Sequence, residues 1–506
     1  MKLDQDHLYD IVVIGGGVQG AGIAADAAGR GLSVLLCEQN DLASATSSAS
    51  SKLIHGGLRY LENYNFGLVR ESLKERDILI KTAPHLVSPL RFMVPFIQQR
   101  RPFWLLRFGI FVYDVLGYSR YFKRSQMVYF NPHDPTNPLK RSIRKGFAYS
   151  DATVDDARLT IVTALRAARA GGKILTHTEC TQAKRLEEAW LVTLRDTLTD
   201  VSIQIKCKAL INAAGPWVDE VNQNVLNLPS QYRTQLVKGS HIIVPKLYPK
   251  EEAYVLQHKD GRVIFIIPYF KQFTMIGTTD TSFKGKPQNA KIDPQEIEYL
   301  CDIVSDYFHH PLTPEQILHS WSGVRALVET SSSTLATIPR EYKIELTTSE
   351  KNHLPLISIF GGKLTTYRNL AENVVNQLTP FFPRHGGPWT SKRPLPGGDL
   401  PDDSLPEFLE ILSMDYDWLP AHLAMRYAHS YGTLTLVLLS GAQKIADLGQ
   451  HFGHGLYEKE LEYLIQKEWA RTSEDILWRR TKLGLFMSAD EKKILQEWFQ
   501  SYFKDH

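Results

Sequence analysis

Residues 11–14, Ile-Val-Val-Ile, run directly into Gly15-Gly16-Gly17-Val18-Gln19-Gly20, and the next apolar run, Ser33-Val34-Leu35-Leu36-Cys37, ends at a lone acid, Glu38. Each part of this arrangement has its own physical task. The first run reads as a buried parallel strand and the second as its neighbour. Gly15 and Gly17 let the backbone turn sharply and approach a pyrophosphate. Gly20 lets the following helix, small-residued from Ala21 to Gly29, lie close on the sheet, and the helix N-terminus offers N–H groups to phosphate. Glu38 falls 18 residues past Gly20, where a carboxylate meets adenosine ribose hydroxyls. Strand, glycines, helix, strand and acid together predict a dinucleotide-binding β-α-β unit.

At 506 residues the chain exceeds one simple core, so two or three domains are expected. A net charge of +3 is too near neutrality to imply bulk nucleic-acid binding, so no nucleic-acid partner is expected. The four cysteines, Cys37, Cys180, Cys207 and Cys301, lack C-x-x-C spacing and read as reduced thiols in a cytosolic protein. The first six residues lack a signal-peptide pattern, and no run reaches the ~20 apolar residues of a spanning helix. The nearest, Phe103 to Leu116, is broken by Arg107 and Asp114, rich in aromatics and flanked by Arg100-Arg101 and Arg120/Lys123-Arg124. It fits equally a helix in a membrane interface and one packed on the protein's own core.

Further along, Asp155 or Asp156 caps a helix that carries Leu159, Val162 and Leu165 on one face and stops at Gly171-Gly172. Lys173 to Thr178, Leu191 to Arg195 and Lys208 to Asn212 read as strands, as do Leu236 to Pro245, Arg262 to Pro268 and Thr274 to Thr279, the last three as an antiparallel sheet. Pro380 to Pro401 reads as a linker. Beyond it the pattern is helical, with a Ser488/Glu491 capping box and an Ile494/Leu495/Trp498/Phe499 stripe.

Several segments carry a more specific likeness. Ala45 to Glu62 (ATSSASSKLIHGGLRYLE), Asn212 to Trp217, Lys238-Gly239-Ser240-His241, Ser322-Gly323-Val324-Arg325, Phe360 to Arg368 (FGGKLTTYR) and Leu477 to Gly484 occur in an order that resembles FAD-dependent glycerol-3-phosphate dehydrogenases of the respiratory, quinone-linked bacterial type. The resemblance implies an α/β fold: a Rossmann-like FAD-binding domain of the D-amino-acid-oxidase/glutathione-reductase type, interleaved with an antiparallel-sheet substrate domain and followed by an all-α C-terminal domain. The expected FAD-binding parts are 1–80, 146–235 and 336–385; 81–145 is a substrate or membrane-cap segment, 236–335 the substrate domain and 386–506 the helical domain. It further implies sn-glycerol 3-phosphate as substrate, dihydroxyacetone phosphate as product, and electrons passed through FAD to ubiquinone or menaquinone. A homodimer is expected, peripheral and monotopic on lipid at the cytoplasmic face of the inner membrane.

By the same resemblance the cofactor is lined by Gly15, Gly17, Gly20, Glu38, Thr46, Ser47, Ser48, Ser51, Leu53, His55, Gly57, Cys180, Gly215, Trp217, Gly361, Gly362, Lys363, Leu364 and Thr365. The chemistry of the residues suits these roles. Negative charge that accumulates on a reduced flavin is stabilised by Lys363 and by a helix N-terminus, expected to open at Gly361-Gly362. A phosphate dianion calls for guanidinium forks, assigned to Arg325 and Arg340, with Arg59 divided between substrate and flavin. Loss of a hydride from C2 requires the C2 hydroxyl proton to leave too, and histidine is the first candidate base. His241 is assigned to the substrate and His55 to the isoalloxazine, with the proton acceptor left open between them. Tyr60 and Tyr269 are candidates to orient the glycerol hydroxyls. No metal site is expected, because no cluster has ligand spacing.

Two other readings stand beside this one. An oxidase of the same family would pass electrons to oxygen, and the chain shows no long insertion of the sort those oxidases carry. A non-catalytic membrane-associated flavoprotein would leave the arginines, His241 and Lys363 without a purpose.

Overall fold

The computed structural model describes residues 4, 6–58, 61, 65–97, 102–329, 341–349 and 353–505. Two sheets organise it. The first is built round five parallel strands in the order Leu356–Phe360, Ser202–Asn212, Leu8–Ile14, Val34–Cys37 and Lys173–Leu175. Lys343–Thr347 adds antiparallel at one edge, while Thr178–Arg185 and Trp190–Asp196 form a meander on Ser202–Asn212. Ile11, Val12, Val13, Leu35 and Leu36 are fully buried, as continuous apolar strands require when both faces are covered. The helices Val18–Gly29, Asp156–Arg169 and Tyr367–Gln377 contribute to one apolar cluster on one side of this sheet. Small residues permit the closeness: a Cβ on Gly22 would lie 2.9 Å from the Tyr367 ring.

The second sheet runs Thr281–Ser282, Thr234–Pro245, Phe273–Gly277, Val263–Tyr269, Ala253–Gln257, Val87–Pro95, Lys145–Val154, Leu53–Ile54, with His319–Val328 beside Thr234–Pro245 and Gln126–Tyr129 beside Lys145–Val154. Its pairings are antiparallel except Ala253–Gln257 on Val87–Pro95. Helix Pro294–Tyr307 seals one apolar face with Leu300, Ile303 and Val304. Lys145–Val154 therefore hydrogen-bonds in the second sheet, although 146–235 was expected to belong with the FAD-binding part.

Local signals account for most element ends. Asp155 caps its helix by accepting from Arg158 N at 3.0 Å, and Ser488 and Glu491 exchange backbone bonds at 3.2 and 2.8 Å before helix Ala489–Asp505. Three expectations need correction. The run Lys173 to Thr178 is two strands, split where His177 takes φ 50°. Ile494 faces solvent, so the last helix buries Leu495 and Phe499 without it. The Pro/Gly-rich stretch is packed, since Leu395 and Leu400 are buried, Leu395 N donates to Thr82 O at 2.7 Å and Trp389 Nε1 to Asp26 O at 3.1 Å.

Helix Phe103–Leu116 forms as expected, and it has two apolar faces. Ile110 and Tyr113 are buried in the core, the Tyr113 hydroxyl bonded to the Asp151 carboxylate at 2.7 Å. Trp104, Phe108, Phe111 and Val115 recur with helical period and stand 60–69 % exposed. Among the described residues no helix is long and apolar enough to cross a membrane.

Candidate active site

A cleft of about 580 Å³ lies between the two sheets, within the size range of cofactor and ligand sites. One end starts at the carboxyl ends of Leu8–Ile14 and Val34–Cys37. Gly15 holds φ +112°, and a Cβ there would sit 2.6 Å from Ala213 O. Gly20 sits in the first turn of the helix and not on the cleft, and its missing side chain lets the helix rest on the Gly15 carbonyl. The Ser47 hydroxyl accepts from Val18 N at 2.9 Å, and Thr46 donates to Val324 O at 2.6 Å, so the 44–52 segment ties the helix N-terminus to the second sheet. Glu38 accepts from Gly16 N at 2.7 Å and Asn40 N at 2.9 Å. Burial raises its carboxyl while those two N–H groups pull it back. Cys180, whose thiol burial pushes up to about 12, is an inert part of this wall.

At the other end stand His55, Leu53, Ser51, Arg325, Thr278, Phe265 and the turn Gly361–Thr365. Gly361 and Gly362 have φ +77° and +107°; a Cβ on Gly362 would strike Gln19, whose amide donates to Gly361 O at 2.8 Å. The helix expected to open at Gly361-Gly362 begins instead at Tyr367, so Lys363 to Thr366 form a turn ahead of it. Thr365 joins this turn to His55, accepting from its backbone N at 3.3 Å. Arg325 comes from His319–Val328, with Nη1 donating to Asp280 at 2.5 Å and Nη2 to Thr278 Oγ1 at 3.1 Å. Gly239 makes the room, since a Cβ there would lie 2.8 Å from both terminal guanidinium nitrogens.

The cleft thus gathers Gly15, Gly17, Glu38, Thr46, Ser47, Ser51, Leu53, His55, Cys180, Gly215, Trp217, Gly361, Gly362, Lys363, Leu364, Thr365 and Arg325. Four other expected residues fall off it. Ser48 and Tyr269 line a neighbouring cavity of about 400 Å³ behind the 44–52 segment. Gly57, at φ +77°, lies outside both. His241 is 1 % exposed and stacked on Trp321 at 5.4 Å; its Nε2 meets the Ser51 hydroxyl at 2.9 Å, so Ser51 and not the imidazole faces the cleft. Burial, then Arg325 and Lys52, hold that imidazole neutral, well below its ordinary pKa. Arg59, Tyr60 and Arg340 lie outside the described residues. Thr278, Asp280 and Gln19 escaped the sequence reading; Gln19 sits inside the glycine motif, and Thr278 falls within the run Thr274 to Thr279, but neither pattern tells which cavity a side chain meets. Among the described residues no group of three His, Cys, Asp or Glu side chains is placed to hold a metal ion.

Residues 10–368 match the family model described as FAD dependent oxidoreductase, and 388–502 match the C-terminal domain of alpha-glycerophosphate oxidase. The chain is 50 % identical to a glycerol-3-phosphate dehydrogenase of Pseudomonas aeruginosa (98 % of this chain, 96 % of that protein). It is 45 % identical to the aerobic glycerol-3-phosphate dehydrogenase of Escherichia coli (97 % of each). The chain belongs to the FAD-dependent glycerol-3-phosphate dehydrogenase family. Another relative of this family member, from Brucella abortus, is 44 % identical (97 % of this chain, 98 % of that protein) and named D-erythritol 1-phosphate dehydrogenase. A solved glycerol-3-phosphate dehydrogenase from Bacillus halodurans, complexed with FAD, superposes with TM-score 0.76 at 26 % identity (98 % of this chain, 95 % of that one). The cleft fits the family's cofactor. Gly15 and Gly362 leave out side chains where backbone comes close, the start of helix Val18–Gly29 opens on the cleft at Gly17, Val18 and Gln19, and Glu38 follows the second strand.

Proposed function

We propose that this family member oxidises sn-glycerol 3-phosphate to dihydroxyacetone phosphate at the Arg325/Lys363 end of the cleft and delivers the electrons to a membrane quinone. FAD, when bound, supplies the two-electron acceptor, N5 taking the hydride from C2. What carries the reading is the convergence of Arg325, Lys363, His55 and the Ser51 hydroxyl at one end of the cleft whose other end holds the dinucleotide fingerprint. Arg325, oriented by Asp280 and Thr278, offers a charged fork to a phosphate dianion. Lys363 brings positive charge to the same wall. The C2 hydroxyl proton leaves towards Ser51, with the neutral His241 imidazole hydrogen-bonded behind it as acceptor. Arg59, Tyr60 and Arg340 stay assigned to substrate on the family motif alone. The exposed Trp104/Phe108/Phe111/Val115 face supports seating in a lipid interface, where a quinone is met.

Two findings favour neighbouring readings. The Brucella relative's name points to a four-carbon polyol phosphate, and the C-terminal match points to an oxygen-using relative. Two assays of the same purified protein, one anaerobic and one in air, separate them. The flavin of the purified protein is expected to bleach with glycerol 3-phosphate and to recover its colour with a soluble quinone. Bleaching only by erythritol 1-phosphate would replace the substrate, and rapid peroxide formation in air would replace the acceptor.

A further inference from the structure

The helical domain reaches the dinucleotide unit through a buried polar contact. Asp41, 1 % exposed, accepts from Arg480 Nη2 at 2.8 Å, from Arg480 Nη1, and from Arg479 Nε at 2.5 Å. Arg479 Nη2 also donates to Asp475 at 2.5 Å, and the other Asp475 oxygen faces His177 Nε2 at 3.4 Å. Burial works against that Asp475 charge, yet His177, Arg479 and Arg480 hold the carboxyl well below the usual range. Asp41 and His177 flank the strand ends that meet the adenosine end of the cleft. His177 N donates to Asn40 O at 2.6 Å and Thr178 N to Glu38 O at 2.7 Å, while Ala43, at φ +58°, bonds Gly16 O through its N–H at 3.1 Å. Glu38, Asn40 and Ala43 all line the cleft.

We propose that the helical turn Asp475–Arg480 is a working part of the cofactor site, a positioning element that fixes the Glu38–Ala43 backbone through Asp41 and His177 and so sets FAD affinity. The physical reason is the cost of an under-compensated buried charge. Each guanidinium bond removed makes the buried Asp41 carboxylate costlier to hold in place and favours a swing of its tether to Glu38, residues Gln39 and Asn40, towards water. That motion pulls Glu38 off Gly16 N and opens the adenosine end of the cleft. The substrate end, gathered on other strands, is left in place.

The test uses full-length holoenzyme with Arg479→Gln and Arg480→Gln. Arg426→Gln serves as control, because Arg426 grips Glu460 at 2.6 and 2.7 Å inside the helical domain and touches neither Asp41 nor His177. FAD release is followed by the fluorescence of free flavin, and apoprotein is titrated back with FAD. Arg479→Gln is expected to raise the FAD dissociation constant about tenfold or more, while saturating FAD restores the holoenzyme spectrum and the apoprotein melts no lower than the control. FAD constants within about twofold of wild type would overturn the proposal. So would an equal loss of affinity in Arg426→Gln, which would make the effect one of domain stability. Should Arg480→Gln fail to fold, Arg479→Gln decides: its side chain is 15 % exposed, and its loss leaves both Arg480 bonds on Asp41.

Discussion

Gly20→Ala isolates the closest approach in the dinucleotide unit. A Cβ at position 20 would lie 1.9 Å from the Gly15 carbonyl oxygen and 3.1 Å from its carbon, whereas real Cβ atoms stay beyond 3.0 Å. The first turn of Val18–Gly29 must therefore retreat by about 1.1 Å. Gly15 backbone cannot yield instead, pinned by its N–H to Cys37 O at 2.8 Å. Overpacking of this size costs about 1–3 kcal/mol. A retreat of that length carries a 2.9 Å donor to about 4 Å, beyond hydrogen-bond range. Each bond lost to a charged phosphate is worth about 1.5–3 kcal/mol, so FAD affinity is expected to fall ten- to a hundredfold or more. Flavin fluorescence titration of the apoprotein measures it. Gly67→Ala is the companion: its Cβ meets nothing within 4 Å, so FAD affinity should hold while stability gains about 0.4–1 kcal/mol. Wild-type affinity in Gly20→Ala would refute the claim that helix-to-strand contact seats the pyrophosphate.

Arg325→Gln should raise the KM for glycerol 3-phosphate about tenfold or more while the protein stays yellow; loss of bound FAD would move Arg325 into the cofactor shell. Replacing the exposed Trp104 and Phe108 by serine should cut sedimentation with anionic vesicles at least about tenfold without lowering the melting temperature, and unchanged sedimentation would remove this face from membrane binding. Buried His85 is driven down to about 3, first by burial and then by Arg158 and His429. An imidazole neutral in the fold but protonated when unfolded contributes stability that is whole above about pH 6.5 and is lost as pH falls towards the folded value. His85→Leu should therefore flatten the acid-side loss of stability by up to about 1.4 kcal/mol per pH unit, and an unchanged slope in denaturation at several pH values between about 6.5 and 4.5 would refute it.

Local codes were legible in the sequence. The Gly15–Gly20 turn, the Asp155 cap, the Ser488/Glu491 box and helix Phe103–Leu116 each depend on residues within a few positions of one another, and each stands where the pattern put it. Questions of facing were not legible. His241 and Gly239 lie two apart on one strand, yet Gly239 lines the cleft while His241 is covered by Trp321 from a strand some eighty positions on. The helix after Gly361-Gly362 starts late because Thr365 is drawn to His55, a contact across 310 positions. The Leu477–Gly484 motif carried a resemblance but no hint that Arg479 and Arg480 reach back to Asp41.

The order in which the first sheet is assembled bears on how the protein is made. Leu8–Ile14 has Ser202–Asn212 on one side, and Leu356–Phe360 lies beyond that. At the usual 5–20 residues per second of synthesis, the nascent first strand waits roughly 10–40 s for its partner to leave the ribosome. Throughout that interval an apolar strand edge is open to other chains. Ribosome-bound fragments ending before residue 202 should accordingly be chaperone clients, and splitting the gene at any point within the first sheet should yield pieces that recover only when co-expressed.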